Sequence, residues 1–142
     1  MAKKTISIFG STGSVGTTTL NILRENKELF DVKILTGYKN INDLASLANE
    51  FNPKAICFAN ESDLKQVKDK INYDEVEFYI GGGGLLECAK VSVDIVIAGI
   101  VGLAGLPSLL ESIKSSKKVC IANKECFVSA GSLIMNEANK YK

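Results

Sequence analysis

Short runs of β-branched and apolar residues alternate along this chain with longer stretches whose apolar positions recur every three to four residues. The short runs predict strands at Thr5–Phe9, Val32–Thr36, Ala55–Phe58, Val76–Ile80, Asp94–Ala98 and Val119–Ala122. They are apolar nearly throughout, as expected of strands covered by helices on both faces. The stretches between them predict helices at Ser14–Asn26, Ile41–Phe51, Glu61–Lys70, Leu85–Lys90, Leu106–Ser115 and Glu125–Tyr141. In the second of these, Ile41, Leu44, Leu47, Ala48 and Phe51 share one face. Asn40 offers a capping oxygen ahead of it, and Pro53 ends it. Pro107 suits the first turn of its helix, where a missing N–H costs nothing. The tetraglycine Gly81–Gly84 reads as a flexible turn into a helix. Strand and helix alternating in this way make βαβ units, and the expected class is α/β with a doubly wound, mainly parallel sheet.

Composition narrows the chemistry. The 142 residues fit one domain, with no internal repeat and no linker, so residues 1–142 are read as a single unit. A hydrophobic share of 46% excludes disordered and fibrous classes. Seventeen Lys and Arg against sixteen Asp and Glu give a net charge of +1, which argues against a nucleic-acid partner. There is no histidine, which removes Ser-His-Asp and Cys-His catalysis and the commonest metal ligand. Cys57, Cys88, Cys120 and Cys126 form no C-x-x-C pair, so they read as reduced, mostly buried thiols of a cytosolic protein. The basic start runs straight into a strand without the apolar core of a signal peptide. No run reaches the ~18–20 apolar residues of a membrane span. A cytoplasmic chain with no membrane partner is expected.

The most informative segment is Thr5-Ile-Ser-Ile-Phe-Gly-Ser-Thr-Gly-Ser-Val-Gly16. A strand ends in three glycines spaced G-x-x-G-x-x-G, and an apolar helix follows. Gly10 allows a tight turn off the strand, Gly13 a close approach of pyrophosphate to the backbone, and Gly16 close packing of helix on sheet. The N–H groups of Gly13, Ser14 and Val15 are expected to point outward as an anion site, with hydroxyls from Ser11, Thr12 and Ser14 around it. No G-K-[ST] follows, so this is not a P-loop. The doubly wound sheet is therefore read as Rossmann-like and dinucleotide-binding.

The tip of the second strand, Leu35-Thr-Gly-Tyr-Lys-Asn40, carries no carboxylate for a ribose 2′-hydroxyl. Lys39 and Asn40 suit a 2′-phosphate instead, which favours NADPH over NADH, and Tyr38 is placed to lie against the adenine. After the fifth strand, Gly99-Ile-Val-Gly-Leu-Ala-Gly105 borders the same crevice, either as a plain turn or with Ile100 and Val101 against a nicotinamide. After the sixth, Ala122-Asn-Lys-Glu125 gathers an amide, a cation and an acid at a helix start. Asn123 could bind a ribose or amide, Lys124 a substrate oxyanion or phosphate, and Glu125 a ribose hydroxyl. The plainer alternative for this segment is an Asn cap with a first-turn Glu.

With these four motifs in this order, the chain resembles the amino-terminal domain of the 1-deoxy-D-xylulose 5-phosphate reductoisomerases over essentially all its residues. Glycine turns of this kind also occur in semialdehyde dehydrogenases, so the A-N-K-E segment after the I-V-G-x-x-G loop carries the specificity. The resemblance implies an NADPH-binding Rossmann-like domain of an enzyme that rearranges and reduces 1-deoxyxylulose 5-phosphate to 2-C-methylerythritol 4-phosphate in isoprenoid synthesis. It implies Mg²⁺ or Mn²⁺ in the parent enzyme, and a homodimer. By position, it puts Thr12, Gly13, Ser14, Val15, Lys39, Asn40, Asn123 and Glu125 on the cofactor and Lys124 on the substrate.

Two segments depart from the family pattern. Tyr38 stands where a small residue is usual, and Cys126-Phe127 replaces Ser-Leu after A-N-K-E. The family's metal-binding acids, lid and remaining substrate residues lie beyond the helix ending near Tyr141. No catalytic residue and no metal ligand is therefore assigned here, and the expectation is weak NADPH binding without turnover. Alternatives are a domain of another NADP enzyme, such as a semialdehyde dehydrogenase, or a non-catalytic dinucleotide-binding module.

Overall fold

The computed structural model describes residues 2–141. The strands are β1 (Lys4–Phe9), β2 (Phe30–Thr36), β3 (Ala55–Phe58), β4 (Glu77–Ile80), β5 (Ile95–Ala98) and β6 (Lys118–Ile121). They form one sheet in the order β4-β3-β2-β1-β5-β6, and every pairing is parallel. The helices are α1 (Ser14–Arg24), α2 (Ile41–Phe51), α3 (Leu64–Lys70), α4 (Gly81–Ala89), α5 (Leu106–Ser115) and α6 (Lys124–Lys140). Among the described residues no helix is long and apolar enough to cross a membrane.

The chain runs outward from β1 to β4 and then returns through α4 to place β5 on the other side of β1. This reversal opens a crevice at the carboxyl ends of β1 and β5, the place where ligands bind in open α/β sheets. Both glycine-rich loops leave from those two ends.

Strand alternation divides the core between the two faces. Ile6, Ile8, Val32, Leu35, Ile56 and Phe58 meet Leu20, Leu23, Leu44 and Val67 on the α1–α3 face. Phe9, Ile34, Cys57 and Val96 meet Cys88 and Ala89 of α4 on the other. Farther along that second face, Ala98 packs with Leu109 and Ile113 of α5 and Cys126 and Ile134 of α6. Val32 and Leu35, three residues apart, share a face because Lys33 is an extra residue in β2: Ile6 pairs with Val32 and Ser7 with Ile34. A β-bulge of this kind resets which side chains point inward.

The element boundaries from the sequence agree with the structure to within one or two residues at most ends. The tetraglycine differs. Residues 81–84 are not a flexible turn but the first turn of α4, opened by Gly81 at φ 71°. Glycine inside a helix costs ~1 kcal/mol relative to alanine, so tertiary packing decides here. A Cβ at Gly84 would lie 3.0 Å from the Tyr79 carbonyl carbon, so a larger residue there would push the helix a few tenths of an ångström off β4. The first three residues of Glu61–Lys70 are a short 3₁₀ turn, Glu61–Asp63, before α3. α6 is interrupted at Ala130 (φ −138°, ψ 25°), and Phe127, Val128, Leu133 and Met135 are exposed around the break.

Candidate functional site: two glycine loops over the sheet switch

β1 ends in a buried Phe9, and Gly10 turns the chain at φ 86°. A Cβ on Gly10 would lie 2.9 Å from the backbone C and O of Gly99, so the loops after β1 and β5 touch there. At Gly16 a Cβ would fall 2.3 Å from the Gly10 oxygen and 2.5 Å from the Ser11 Cα. Gly10 and Gly16 are therefore required by the protein's own packing. Gly13 is different: it is exposed, and a Cβ there would meet only the Gly10 oxygen, at an ordinary 3.5 Å. Among the described residues the N–H groups of Ser14 and Val15, in the first turn of α1, find no hydrogen-bond partner. Unpaired N–H groups at a helix start with no side chain in front of them make an anion cradle.

Two sequence expectations for this turn are corrected. The Gly13 N–H does not point outward but donates to the Gly10 carbonyl at 3.2 Å. Ser11 is fully buried, and its hydroxyl donates to the Thr36 carbonyl at 2.7 Å instead of facing a ligand. Thr36, which sequence reasoning passed over, closes β2 over the turn. Its Oγ1 accepts from the Gly10 N–H at 2.8 Å, and its carbonyl also accepts from the Ser11 N–H at 2.7 Å. Replacing Thr36 with valine keeps the shape and removes the acceptor for a part-buried N–H. The expected loss is about 1–3 kcal/mol of stability, read as a lower urea midpoint; an unchanged midpoint would contradict the latch.

Past Thr36 the second strand delivers Tyr38, Lys39 and Asn40 to the surface, all exposed. Tyr38 lies open, with the Lys39 ammonium 5.5 Å from its ring centroid. Asn40 caps α2: its Oδ1 accepts from the Asp43 N–H at 3.4 Å, and its Nδ2 donates to the Asp43 carboxylate at 2.7 Å. Lys39 is thus a free-standing cation beside a helix cap.

The loop after β5 starts with the Gly99 N–H donating to the Phe9 carbonyl at 2.9 Å. Val15 packs at Gly99, where a Cβ would meet its side chain at 3.5 Å. Ile100 turns into the core, and Val101 is 83% exposed at the loop tip. Of that pair Val101 is the more open, while Ile100 is half-buried against the core.

Asn123 is buried and serves as the N-cap of α6, its Oδ1 accepting from the Cys126 N–H at 3.1 Å. Its Nδ2 donates to the carbonyls of Ile100 at 2.6 Å and Gly102 at 2.7 Å. Both amide hydrogens expected to reach a ribose or amide are therefore committed inside the protein. Lys124 and Glu125 stand exposed on the first turn of α6, with a Glu125 oxygen folded toward Gly102. Burial and the Glu125 charge push the Cys126 thiol above its ordinary pKa, so it is no activated nucleophile. All four cysteines are free. Among the described residues no three His, Cys, Asp or Glu side chains gather so as to hold a metal ion.

The profile of one protein family, 1-deoxy-D-xylulose 5-phosphate reductoisomerase, matches residues 6–131. The chain is 39% identical over 140 residues to the 1-deoxy-D-xylulose 5-phosphate reductoisomerase of Phocaeicola vulgatus, covering 98% of this chain and 37% of that protein. It is 40% identical over 139 residues to that of Lachnoclostridium phytofermentans, covering 97% and 36%. Among solved structures it superposes on the Zymomonas mobilis reductoisomerase in complex with NADPH with a TM-score of 0.93 and 34% identity, covering 99% of this chain and 37% of the other. A reductoisomerase in complex with NADPH, fosmidomycin and magnesium gives a TM-score of 0.88 at 35% identity, covering 97% and 34%. The chain thus spans little more than a third of the length of the relatives it matches.

Proposed function

The chain belongs to the 1-deoxy-D-xylulose 5-phosphate reductoisomerase family, and from that premise we propose that residues 1–142 are the NADPH-binding domain of such an enzyme. The observation that carries the reading is the open start of α1. The Ser14 and Val15 N–H groups are unpaired, and the missing Cβ of Gly13 answers to no packing need of the protein. A pyrophosphate seated there is bound by backbone N–H groups and the helix dipole, with Thr12 and Ser14 at its sides. Lys39, exposed just past β2, supplies the cation for the 2′-phosphate, with Asn40, whose amide holds the Asp43 carboxylate, beside it. Val101 covers the nicotinamide end.

The relative bound to NADPH with the same fold supports this cofactor. In the proposed parent reaction NADPH supplies the hydride that reduces the rearranged aldehyde to 2-C-methylerythritol 4-phosphate. Lys124 and Glu125 lie in the first turn of α6; in this reading Lys124 holds the substrate at the edge of the same crevice and Glu125 serves the cofactor. The residues described do not fit Mg²⁺ or Mn²⁺, so no metal-dependent step is assigned to them. The reading carries with it the family's setting, a cytoplasmic homodimeric enzyme of isoprenoid synthesis.

Calorimetric titration of the chain with NADPH and with NADH at low salt tests this. NADPH binds the more tightly, and Lys39→Ala removes roughly a tenfold share of that preference. Equal affinity for the two cofactors would overturn the 2′-phosphate assignment.

A further inference from the structure

We infer that Asn123 is a positioning residue that binds the β5 loop to the start of α6, so that the cofactor loop and the helix turn carrying Lys124 and Glu125 move as one unit; this rests on the NADPH site proposed above. The residue type is the first argument. Capping a helix is served equally by Asp or Ser, each of which supplies an acceptor. Only a side-chain amide caps and also donates two hydrogens, and Asn123 uses all of these: Oδ1 to the Cys126 N–H, Nδ2 to Ile100 and Gly102.

The loop is shaped to receive it. Gly102, at φ 75°, takes a backbone conformation that strains other residues, and its carbonyl accepts from Asn123. The same carbonyl accepts from the Gly105 N–H at 3.3 Å and the Cys126 thiol at 3.6 Å. A Cβ on Gly105 would sit 3.4 Å from the Asn123 Nδ2 and 3.0 Å from the Ile100 oxygen, so glycine there keeps the approach open. Three glycines in seven residues would otherwise leave the loop loose, and a ligand would have to order it on binding. Asn123 orders it beforehand and sets its distance from Lys124.

The test uses Asn123→Asp and Asn123→Ser, with NADP⁺ as the probe because it survives acid. Both variants keep the cap. At pH 8 both lose amide-exchange protection in residues 100–105, and both bind NADP⁺ about tenfold more weakly. Buried and facing the Ile100 and Gly102 carbonyls, the aspartate is held above its ordinary pKa, so at pH 5 a share of it is protonated and can donate one hydrogen bond again. Its deficit against the unaltered chain at the same pH then shrinks, while that of the serine variant does not.

The serine variant also accounts for the other titratable and charged groups near the site, Lys124, Glu125 and Cys126 on α6. Residues 99–105 contain none, and the adjacent turn of α5 presents Ser108 and Leu109. Unchanged protection and affinity in both variants, or an aspartate deficit that ignores pH, would overturn the inference. If the unaltered chain binds no NADP⁺, the cofactor reading fails by itself, and exchange in residues 100–105 still decides the role of Asn123.

Discussion

Gly13→Ala will leave the chain folded and cut its affinity for NADPH about ten- to a hundredfold. The two effects separate because of where the added methyl goes. Gly13 sits at φ −81°, ψ −179°, extended backbone that alanine adopts freely. Its Cβ would find the Gly10 oxygen at 3.5 Å, an ordinary contact, and otherwise point at the open helix start. The melting temperature should change little, since alanine restricts the unfolded chain by about 0.4–1 kcal/mol more than glycine does and that gain offsets its poorer fit at the N-cap of α1. A bound pyrophosphate, by contrast, needs the space the methyl would take. Paired thermal melts and fluorescence titrations read both quantities. An alanine variant that binds NADPH like the parent would remove Gly13 from the cofactor site.

Gly16→Ala produces the opposite separation, a large loss of stability. The methyl would meet the Gly10 oxygen at 2.3 Å and the Ser11 Cα at 2.5 Å. Both are backbone atoms, and Ser11 is tied by its N–H and its hydroxyl to the Thr36 carbonyl. Neither can swing aside as a side-chain end could. Relief requires α1 to lift off the sheet, which uncovers Leu20 and Leu23. The expected cost is about 3 kcal/mol or more, at the upper end of overpacking effects, from a total that for such domains is ~5–15 kcal/mol. Urea denaturation followed by circular dichroism measures it. A midpoint equal to that of the unaltered chain would show that α1 does not rest on the turn as described.

How much of this was legible beforehand differs between fold and site. The strands could be read because Ile6, Ile8, Ile56, Val96 and their neighbours are apolar on both faces of a covered sheet, and the helices because α2 repeats its apolar residues every three to four positions. The tetraglycine misled because intrinsic propensity argues against a helix there, while in the fold Gly84 packs close to Tyr79 as part of one. The bulge at Lys33 leaves no local mark, since no glycine or proline stands at it in β2. Within the site, the glycine spacing announced an anion cradle but not which N–H groups would stay free. That depended on the Gly13 N–H folding back to Gly10.

By itself the sequence determined the class of fold, the location of the glycine turn between β1 and α1 and the absence of a carboxylate at the tip of β2. Each depends on residue type and on spacing along the chain, and short-range sterics read those directly. Tertiary structure alone decided the strand order, the contact of Gly10 with Gly99, the latch at Thr36 and the commitment of Asn123 to the β5 loop. These join residues 21 to 89 positions apart. A hydroxyl or amide carries no sign in the sequence of which distant carbonyl it will reach. Burial makes such a partner necessary, and only the folded packing determines which group fills the role.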